Sequence, residues 1–152
     1  MSVLKPILLI EDNANDVQLT LAALARSHLA NEVVITRDGQ DGLDYLFRRG
    51  VYTNRENGNP AVVLLDLKLP KIDGLEVLDQ IKKDPELRSV PVVMLTSSQE
   101  EQDLIRSYRL GVNAYVVKPV RFTDFVTAIS ELGIFWAVIN QPPPGSVTSR
   151  RM

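Results

Sequence analysis

Short apolar runs alternate along this chain with segments in which apolar residues recur at helical spacing. A strand buried on both faces of a sheet has such a continuous apolar run, whereas an amphipathic helix buries only one side. The alternation, repeated five times, predicts an α/β fold with a doubly wound parallel sheet and helices on both faces. The expected strands are Pro6–Ile10, Val33–Ile35, Ala61–Leu65, Val92–Leu95 and Tyr115–Val117.

The segments between these runs predict helices that each present an apolar face to the sheet. Asn13 or Asn15 is expected to cap the first helix, the second is expected over Gly39–Arg49, and Asp84-Pro85 ends the third. Ser98 and Glu101 fit a capping box ahead of the fourth. The side chains expected to face inward are Val17, Leu21, Leu24 and Ala25, then Leu43, Leu46 and Phe47, then Leu75, Leu78 and Ile81, and finally Leu104, Ile105 and Tyr108.

The last helix is expected to run from about Thr123 to Asn140 and to change character along its length. Its apolar residues form one stripe as far as Ile129, but the segment Ile134–Ile139 is apolar on every side. A helix that is apolar all round is buried by something, either its own domain or a second copy of the chain. Aromatic residues are common interface anchors, so we expect a homodimer that uses Phe135, Trp136 and Ile139. Residues 1–140 are expected to form one domain and 141–152 a disordered tail.

Composition narrows the class of protein further. With 152 residues, 45% of them hydrophobic, the chain can form one globular domain with a full core. A formal net charge of −2, with Lys and Arg scattered among acids, argues against direct DNA binding. The absence of cysteine excludes disulfides and thiolate metal sites. No apolar segment approaches the roughly 20 residues of a membrane span and no signal peptide precedes the first strand, so we expect a cytoplasmic protein.

Polar residues stand at the carboxyl ends of four of the predicted strands. These are the pair Glu11-Asp12, Asp66, Thr96 and Lys118. Parallel strands bring their carboxyl ends to one edge of the sheet, where ligands bind. Adjacent carboxylates repel each other unless a cation lies between them, and Mg²⁺ prefers oxygen ligands. The pattern therefore predicts a magnesium site at this edge, although Asp12 alone could equally be a helix cap.

Asp66 is the candidate nucleophile of this site. It ends an apolar run, and the extended segment Leu67–Pro70 that follows does not begin a helix, so we expect its carboxylate to be exposed above the sheet edge. A carboxylate there can form an acyl phosphate. The Thr96 hydroxyl and the Lys118 ammonium would stabilise phosphoryl oxygens in a reaction that depends mainly on positioning and charge.

With these residues in place, the chain resembles the response-regulator receiver domains of two-component signalling from Ile7 to about Leu132. The resemblance implies a flavodoxin-like fold with strand order 2-1-3-4-5 and a Mg²⁺-dependent transfer of phosphate from a histidine kinase to Asp66. It also implies a metal-binding backbone carbonyl at Lys68, a switch formed by Thr96 and Tyr115, and a cis bond before Pro119. Such a domain catalyses only its own phosphorylation and dephosphorylation, and signals by binding a downstream protein that the sequence does not identify.

A narrower resemblance rests on Tyr52 in the loop after the second helix, on the segment Tyr108–Asn113 and on Phe135-Trp136. In these features the chain is similar to small stand-alone receivers paired with phytochrome kinases, which implies that the cognate kinase is a bacterial phytochrome.

An aspartyl-phosphate phosphatase of the haloacid dehalogenase type is the main alternative, because it uses similar Asp, Thr and Lys chemistry. Enzymes of that class have the motif Asp-x-Asp at the nucleophile, whereas the residue two places after Asp66 in this chain is Lys68. A nucleotide-binding module would need a glycine-rich turn after the first strand, and the segment Glu11–Asn15 has no glycine.

Overall fold

The computed structural model describes residues 5–26, 31–56, 58–97, 106–118 and 121–131. Five parallel strands in these residues form one sheet in the order β2-β1-β3-β4-β5, which confirms the predicted fold. The strands are β1 (Ile7–Ile10), β2 (Val33–Thr36), β3 (Val62–Asp66), β4 (Val92–Thr96) and β5 (Ala114–Val117). The crossover from β2 on one side of β1 to β3 on its other side opens a crevice at their carboxyl ends.

Helices cover both faces of this sheet. They are α1 (Ala14–Ala25), α2 (Gly39–Phe47), α3 (Gly74–Lys83), α4 (helical residues 106–109) and α5 (Phe122–Glu131), with a short 3-10 helix at Gly50–Tyr52. Alternate strand residues point to opposite faces, which gives two apolar layers. Leu8, Ile10, Val63 and Leu65 pack with α2 and α3, and Ile7, Leu9, Val62 and Leu64 pack with α1 and α5.

Side-chain caps fix where three of the helices begin. Asn13 Oδ1 accepts the N–H of Asp16 at 2.9 Å, Asp38 Oδ1 that of Asp41 at 2.7 Å, and Asp73 Oδ1 that of Glu76 at 3.0 Å. Each cap satisfies a backbone donor that the first turn of a helix leaves without a partner. Asn13 is therefore the cap of α1, and this helix starts almost immediately beyond β1.

The inward faces of two helices differ from the prediction. In α1 the buried residues are Val17, Thr20, Ala23 and Leu24, while Ala25 is exposed. Among residues 106–109, the described part of α4, Ser107 is buried and Tyr108 is 54% exposed. In α4 the adjacent Ser107 takes the inward position, and in α1 Leu24 is buried as predicted while Ala25 is not, because at 3.6 residues per turn one step rotates a side chain well away from the core.

The end of α2 also lies earlier than expected, at Phe47. Arg48 follows in the left-handed conformation with φ 58°, and its N–H bonds to carbonyls of the last turn. Such a residue commonly ends a helix, because it turns the chain so that the final carbonyls find donors.

Two glycines allow backbone segments to approach the loop between β3 and α3. A Cβ at Gly39 would lie 1.9 Å from the Ile72 carbonyl oxygen, and one at Gly74 would lie 2.3 Å from the Asp66 carbonyl oxygen. The Gly74 N–H donates to the Leu67 carbonyl at 2.9 Å. Both contacts hold the loop that follows Asp66 against the starts of α2 and α3.

Several expectations fall outside the described residues. They are the capping box of Ser98 and Glu101, the inward positions of Leu104 and Ile105, the bond before Pro119, and everything from residue 132 to 152, including the extended helix, the tail and Phe135, Trp136 and Ile139. Among the described helices, none has the length and apolar character needed to cross a membrane.

Candidate functional site

The register of the sheet brings the polar strand ends to one level. Ile10 lies opposite Leu65, Asp66 lies opposite Leu95, and Thr96 lies opposite Val117. Glu11 and Lys118 are each the first residue after their strand, so both stand beside these ends. The Lys118 N–H also donates to the Thr96 carbonyl at 2.7 Å, which joins the fourth and fifth strands at this edge.

Three carboxylates converge at this edge. Glu11, Asp12 and Asp66 each offer one oxygen, and these oxygens lie within 4.8 Å of one another. Glu11 has no solvent exposure, Asp66 is 5% exposed and Asp12 is exposed. Because Asn13 caps α1, Asp12 is not needed as its cap and remains available to a cation. The cluster is thus buried on one side and open to solvent on the other.

Asp66 is more buried than the sequence predicted. An exposed carboxylate was expected, but Leu67 is buried beside it and the Gly74 backbone closes over the end of the strand. The extended segment after Asp66 therefore folds back over the sheet edge instead of leaving it. A buried carboxylate is partly desolvated, which makes the charges around it more important.

The ammonium of Lys118 lies among acids from three elements. Its Nζ is 2.6 Å from Glu11 Oε1, 2.9 Å from Asp16 Oδ2 and 3.1 Å from Asp66 Oδ1. Sequence reasoning had placed Lys118 next to Asp66 but had missed Asp16. Asp16 belongs to the first turn of α1, which starts just beyond β1. An acid in that turn lies over the carboxyl edge of the sheet, and this placement could have indicated Asp16 as a site residue.

These contacts shift two pKa values. Burial raises the pKa of Asp66 to about 7, repulsion from Glu11 acts in the same direction, and Lys118 opposes both. Burial by itself would lower the pKa of Lys118, but hydrogen bonds with Glu11, Asp16 and Asp66 outweigh it and raise that pKa above its usual range. Lys118 is therefore a permanent cation, whereas the charge of Asp66 depends on what neutralises its surroundings.

The other predicted residues lie around this centre. Thr96 is fully buried at the end of β4, one residue beyond the partner of Asp66 in the sheet. Lys68 is exposed in the loop after Asp66. Tyr115 lies on β5, is half-buried, and packs against the apolar cluster that α2 and α3 form with the sheet. The structure thus brings Glu11, Asp12, Asp66 and Lys118 into one cluster and places Thr96, Lys68 and Tyr115 on the elements next to it.

Comparison with known proteins identifies the family. The family model for the response regulator receiver domain matches residues 7–130. Response regulator Rcp1 of Synechocystis sp. is 42% identical over 132 residues, which is 87% of this chain and 88% of that protein. A Mn²⁺-bound form of Rcp1 has been solved and superposes with a TM-score of 0.71, covering 87% of this chain and 92% of the other.

Two further solved structures are similar over nearly the whole chain. The bacteriophytochrome response regulator RtBRR is 67% identical, with a TM-score of 0.83 and coverage of 95% of this chain and 87% of the other. The phosphorylated cyanobacterial phytochrome response regulator RcpA is 40% identical, with a TM-score of 0.75 and coverage of 95% and 100%. These matches leave the haloacid dehalogenase alternative without support. The chain belongs to the response regulator receiver domain family and is a protein of two-component signalling.

Proposed function

We propose that Asp66 accepts a phosphoryl group from a phosphohistidine of a histidine kinase. The observation that supports this most directly is the placement of its carboxylate, which ends a buried strand, lies near the Glu11 and Asp12 oxygens, and is 3.1 Å from Lys118 Nζ. In the transfer, an Asp66 oxygen forms the new bond to phosphorus while the bond from phosphorus to the imidazole nitrogen breaks. The electron pair of that bond stays on the leaving imidazole.

Residues of this chain supply the charge stabilisation that the transfer needs. Lys118 can donate to one phosphoryl oxygen and the Thr96 hydroxyl to another, and both residues are anchored where β4 and β5 end. Most of the catalysis in phosphoryl transfer comes from such positioning and electrostatics. The chain then acts only on its own acyl phosphate, in its formation and its hydrolysis.

The donor set at the sheet edge suits Mg²⁺. Carboxylate and carbonyl oxygens are its preferred protein ligands, and Glu11, Asp12, Asp66 and the Lys68 backbone carbonyl would hold it. When bound, the ion neutralises the crowded carboxylates and the phosphoryl oxygens, and so favours the ionised form of Asp66. The Mn²⁺-bound structure of Rcp1 supports a divalent cation in a similar protein.

Thr96 and Tyr115 are proposed to change position when Asp66 is phosphorylated and so to alter the surface that a downstream protein binds. A phosphoryl group adds close to two negative charges at neutral pH, enough to bias a side chain between two positions. Tyr115 is half-buried and borders a cavity of about 390 Å³ that is also lined by Tyr108, Val117 and Asp124. Movement of Thr96 toward the phosphoryl group would leave room for Tyr115 to turn inward, which would alter this face for a downstream protein.

The cognate kinase is proposed to be a bacterial phytochrome, acting on this chain in the cytoplasm. The support is similarity: RtBRR is described as a bacteriophytochrome response regulator and RcpA as a phytochrome response regulator. A light-dependent transfer assay tests this. Purified phytochrome kinase should transfer label to wild-type protein and not to Asp66→Asn. The amount of label transferred should differ between light and dark.

A homodimer is proposed from the apolar sequence at the end of the last helix. A single domain over residues 1–140 and a disordered tail over 141–152 are proposed as well. Burial of Phe135, Trp136 and Ile139 between two copies would remove a large apolar surface from water, worth several kcal/mol at about 25 cal/mol per Å². Trp136→Glu should therefore shift the protein from dimer to monomer in sedimentation while Asp66 phosphorylation continues. Val51 is 90% exposed, so Val51→Glu is the matched control and should remain dimeric. Wild type that sediments as a monomer would contradict the dimer.

The central proposal is tested by intact-mass measurement after incubation with acetyl phosphate and Mg²⁺. Wild type should gain one phosphoryl group, Asp66→Asn should gain none, and chelation of the metal should prevent the gain. Asp12→Ala should lose most of the labelling because it removes a metal ligand. Asp79→Asn, on the surface of α3, serves as the control and should be labelled like wild type. Undiminished labelling of Asp66→Asn would refute the assignment.

A further inference from the structure

We propose that Asp16 is a positioning residue that holds the Lys118 ammonium in the unphosphorylated protein and thereby slows phosphorylation of Asp66. This inference rests on the proposed function of Asp66 and adds a residue of α1 that regulates the same site. Its basis is the contact geometry around one ammonium.

Carboxylates already surround the Lys118 ammonium, and Asp16 Oδ2 accepts a hydrogen bond from it at 2.9 Å. An ammonium carries three N–H groups. Three carboxylates surround Lys118 Nζ, those of Glu11 at 2.6 Å, Asp16 at 2.9 Å and Asp66 at 3.1 Å. A phosphoryl oxygen that needs the same ammonium therefore competes with these carboxylates, and in particular with Asp16, which accepts its hydrogen bond.

The three partners differ in how easily they can be released. Glu11 has no solvent exposure, so its carboxylate would lose the ammonium without gaining water. Asp66 becomes the acyl phosphate and stays at the site. The Asp16 side chain is 29% exposed, and water can replace the ammonium there at low cost. Asp16 is thus the partner that gives way when the phosphoryl group arrives.

The sign of the effect follows from charge. Asp16 competes for the cation that stabilises the incoming phosphoryl group, and it adds a negative charge near an anionic donor. Both influences oppose phosphorylation. Replacement of Asp16 by a neutral residue should therefore release Lys118 toward the donor and raise the rate.

The experiment measures the second-order rate of Asp66 phosphorylation by acetyl phosphate at saturating Mg²⁺. Asp16→Asn and Asp16→Ser should both be faster than wild type by about threefold, the size expected of a partly exposed ion pair. Asp16→Glu keeps the charge and should restore the wild-type rate. Asp79→Asn is the matched control, because the Asp79 side chain is 26% exposed and pairs with Lys83 at 2.9 Å. Its rate should equal that of wild type.

A second arm tests whether Asp16 acts through Lys118. In a Lys118→Met background, Asp16→Asn should no longer raise the rate, as a double-mutant cycle of coupled residues requires. An equal rise in that background, or in Asp79→Asn, would mean a general charge effect and would overturn the inference. So would neutral Asp16 variants that fold but are no faster than wild type. If Asp66 is labelled normally in such variants, the proposed function stands without this inference, whereas absence of label in wild type removes both.

Discussion

Two half-buried lysines in this chain each lie close to three oxygen atoms. They differ in the charge of the groups to which those oxygens belong. Lys118 lies among three carboxylates at the functional edge of the sheet. Lys82, near the end of α3, donates to the Arg88 carbonyl at 3.1 Å, the Val90 carbonyl at 3.0 Å and the Asn113 Oδ1 at 3.0 Å. The coordination is similar, but one ammonium is surrounded by anions and the other by neutral dipoles.

Burial has opposite outcomes at the two positions. Burial lowers the pKa of Lys82, because neutral oxygens do not repay the desolvation of its charge. At Lys118 burial acts in the same direction, but the hydrogen bonds with the carboxylates outweigh it and the pKa is raised. Lys82 joins α3 to the loops before β4 and β5, and Asn113 also accepts the Val92 N–H at 2.8 Å. Lys82 therefore contributes to the fold, whereas Lys118 keeps its positive charge beside Asp66.

The largest expected effect separates the two lysines by activity. Lys118→Met should slow Asp66 phosphorylation by acetyl phosphate about 100-fold, because it removes a preorganised cation from the transition state. Lys82→Met should stay within about twofold of wild type. Time courses of intact mass check both variants. Equal losses would show that the lysines do not differ in role.

The next effect separates them by stability. Lys82→Met should lower the free energy of unfolding by about 2 kcal/mol, since two backbone carbonyls and the Asn113 side chain lose a donor. The control is the neighbouring Lys83→Met, which should leave the free energy of unfolding close to that of wild type because the Lys83 side chain is 75% exposed. Urea unfolding monitored by circular dichroism measures the difference. A loss no larger than that of Lys83→Met would contradict the structural role of Lys82.

The smallest effect is a pH dependence at Lys82. Its pKa is lowered in the folded protein, so between that lowered value and 10.5 the unfolded chain binds more protons than the folded one. Stability contributed by this group therefore rises with pH across that window. The unfolding free energy of wild type relative to Lys82→Met should increase slightly from pH 8 toward pH 10.5. A decrease over this range would show that burial does not govern this lysine.

Much of the fold was predictable because the sequence has clear continuous apolar runs at its strands and clear helical spacing of apolar residues between them. Strands buried on both faces left continuous apolar runs, and their polar ends at Asp66 and Lys118 indicated the edge where the site lies. What sequence patterns could not give is the rotation of helices about their axes. The prediction placed Ala25 and Tyr108 inward, and it overlooked Asp16, whose contact with Lys118 depends on where the first turn of α1 points.

The burial of Asp66 was missed for a related reason. Whether a strand end is open depends on the backbone that folds over it, and the close approach of Gly74 is a contact between segments that no local pattern reveals. In the same way, Glu11 and Asp12 are adjacent in sequence but differ fully in exposure. Their different positions come from the turn between β1 and the Asn13 cap.

The close approach at Gly39 and Gly74 has a consequence for sequence variation in this chain. Any side chain at either position would collide with backbone, at 1.9 Å from the Ile72 oxygen or 2.3 Å from the Asp66 oxygen. At Gly58, by contrast, a Cβ would have no heavy atom within 4 Å. A library randomised at all three positions and selected for phosphorylation should therefore return glycine at 39 and 74 and many residue types at 58. Substitution would thus be restricted at two glycines that pack against the loop after Asp66 and take no part in the proposed chemistry.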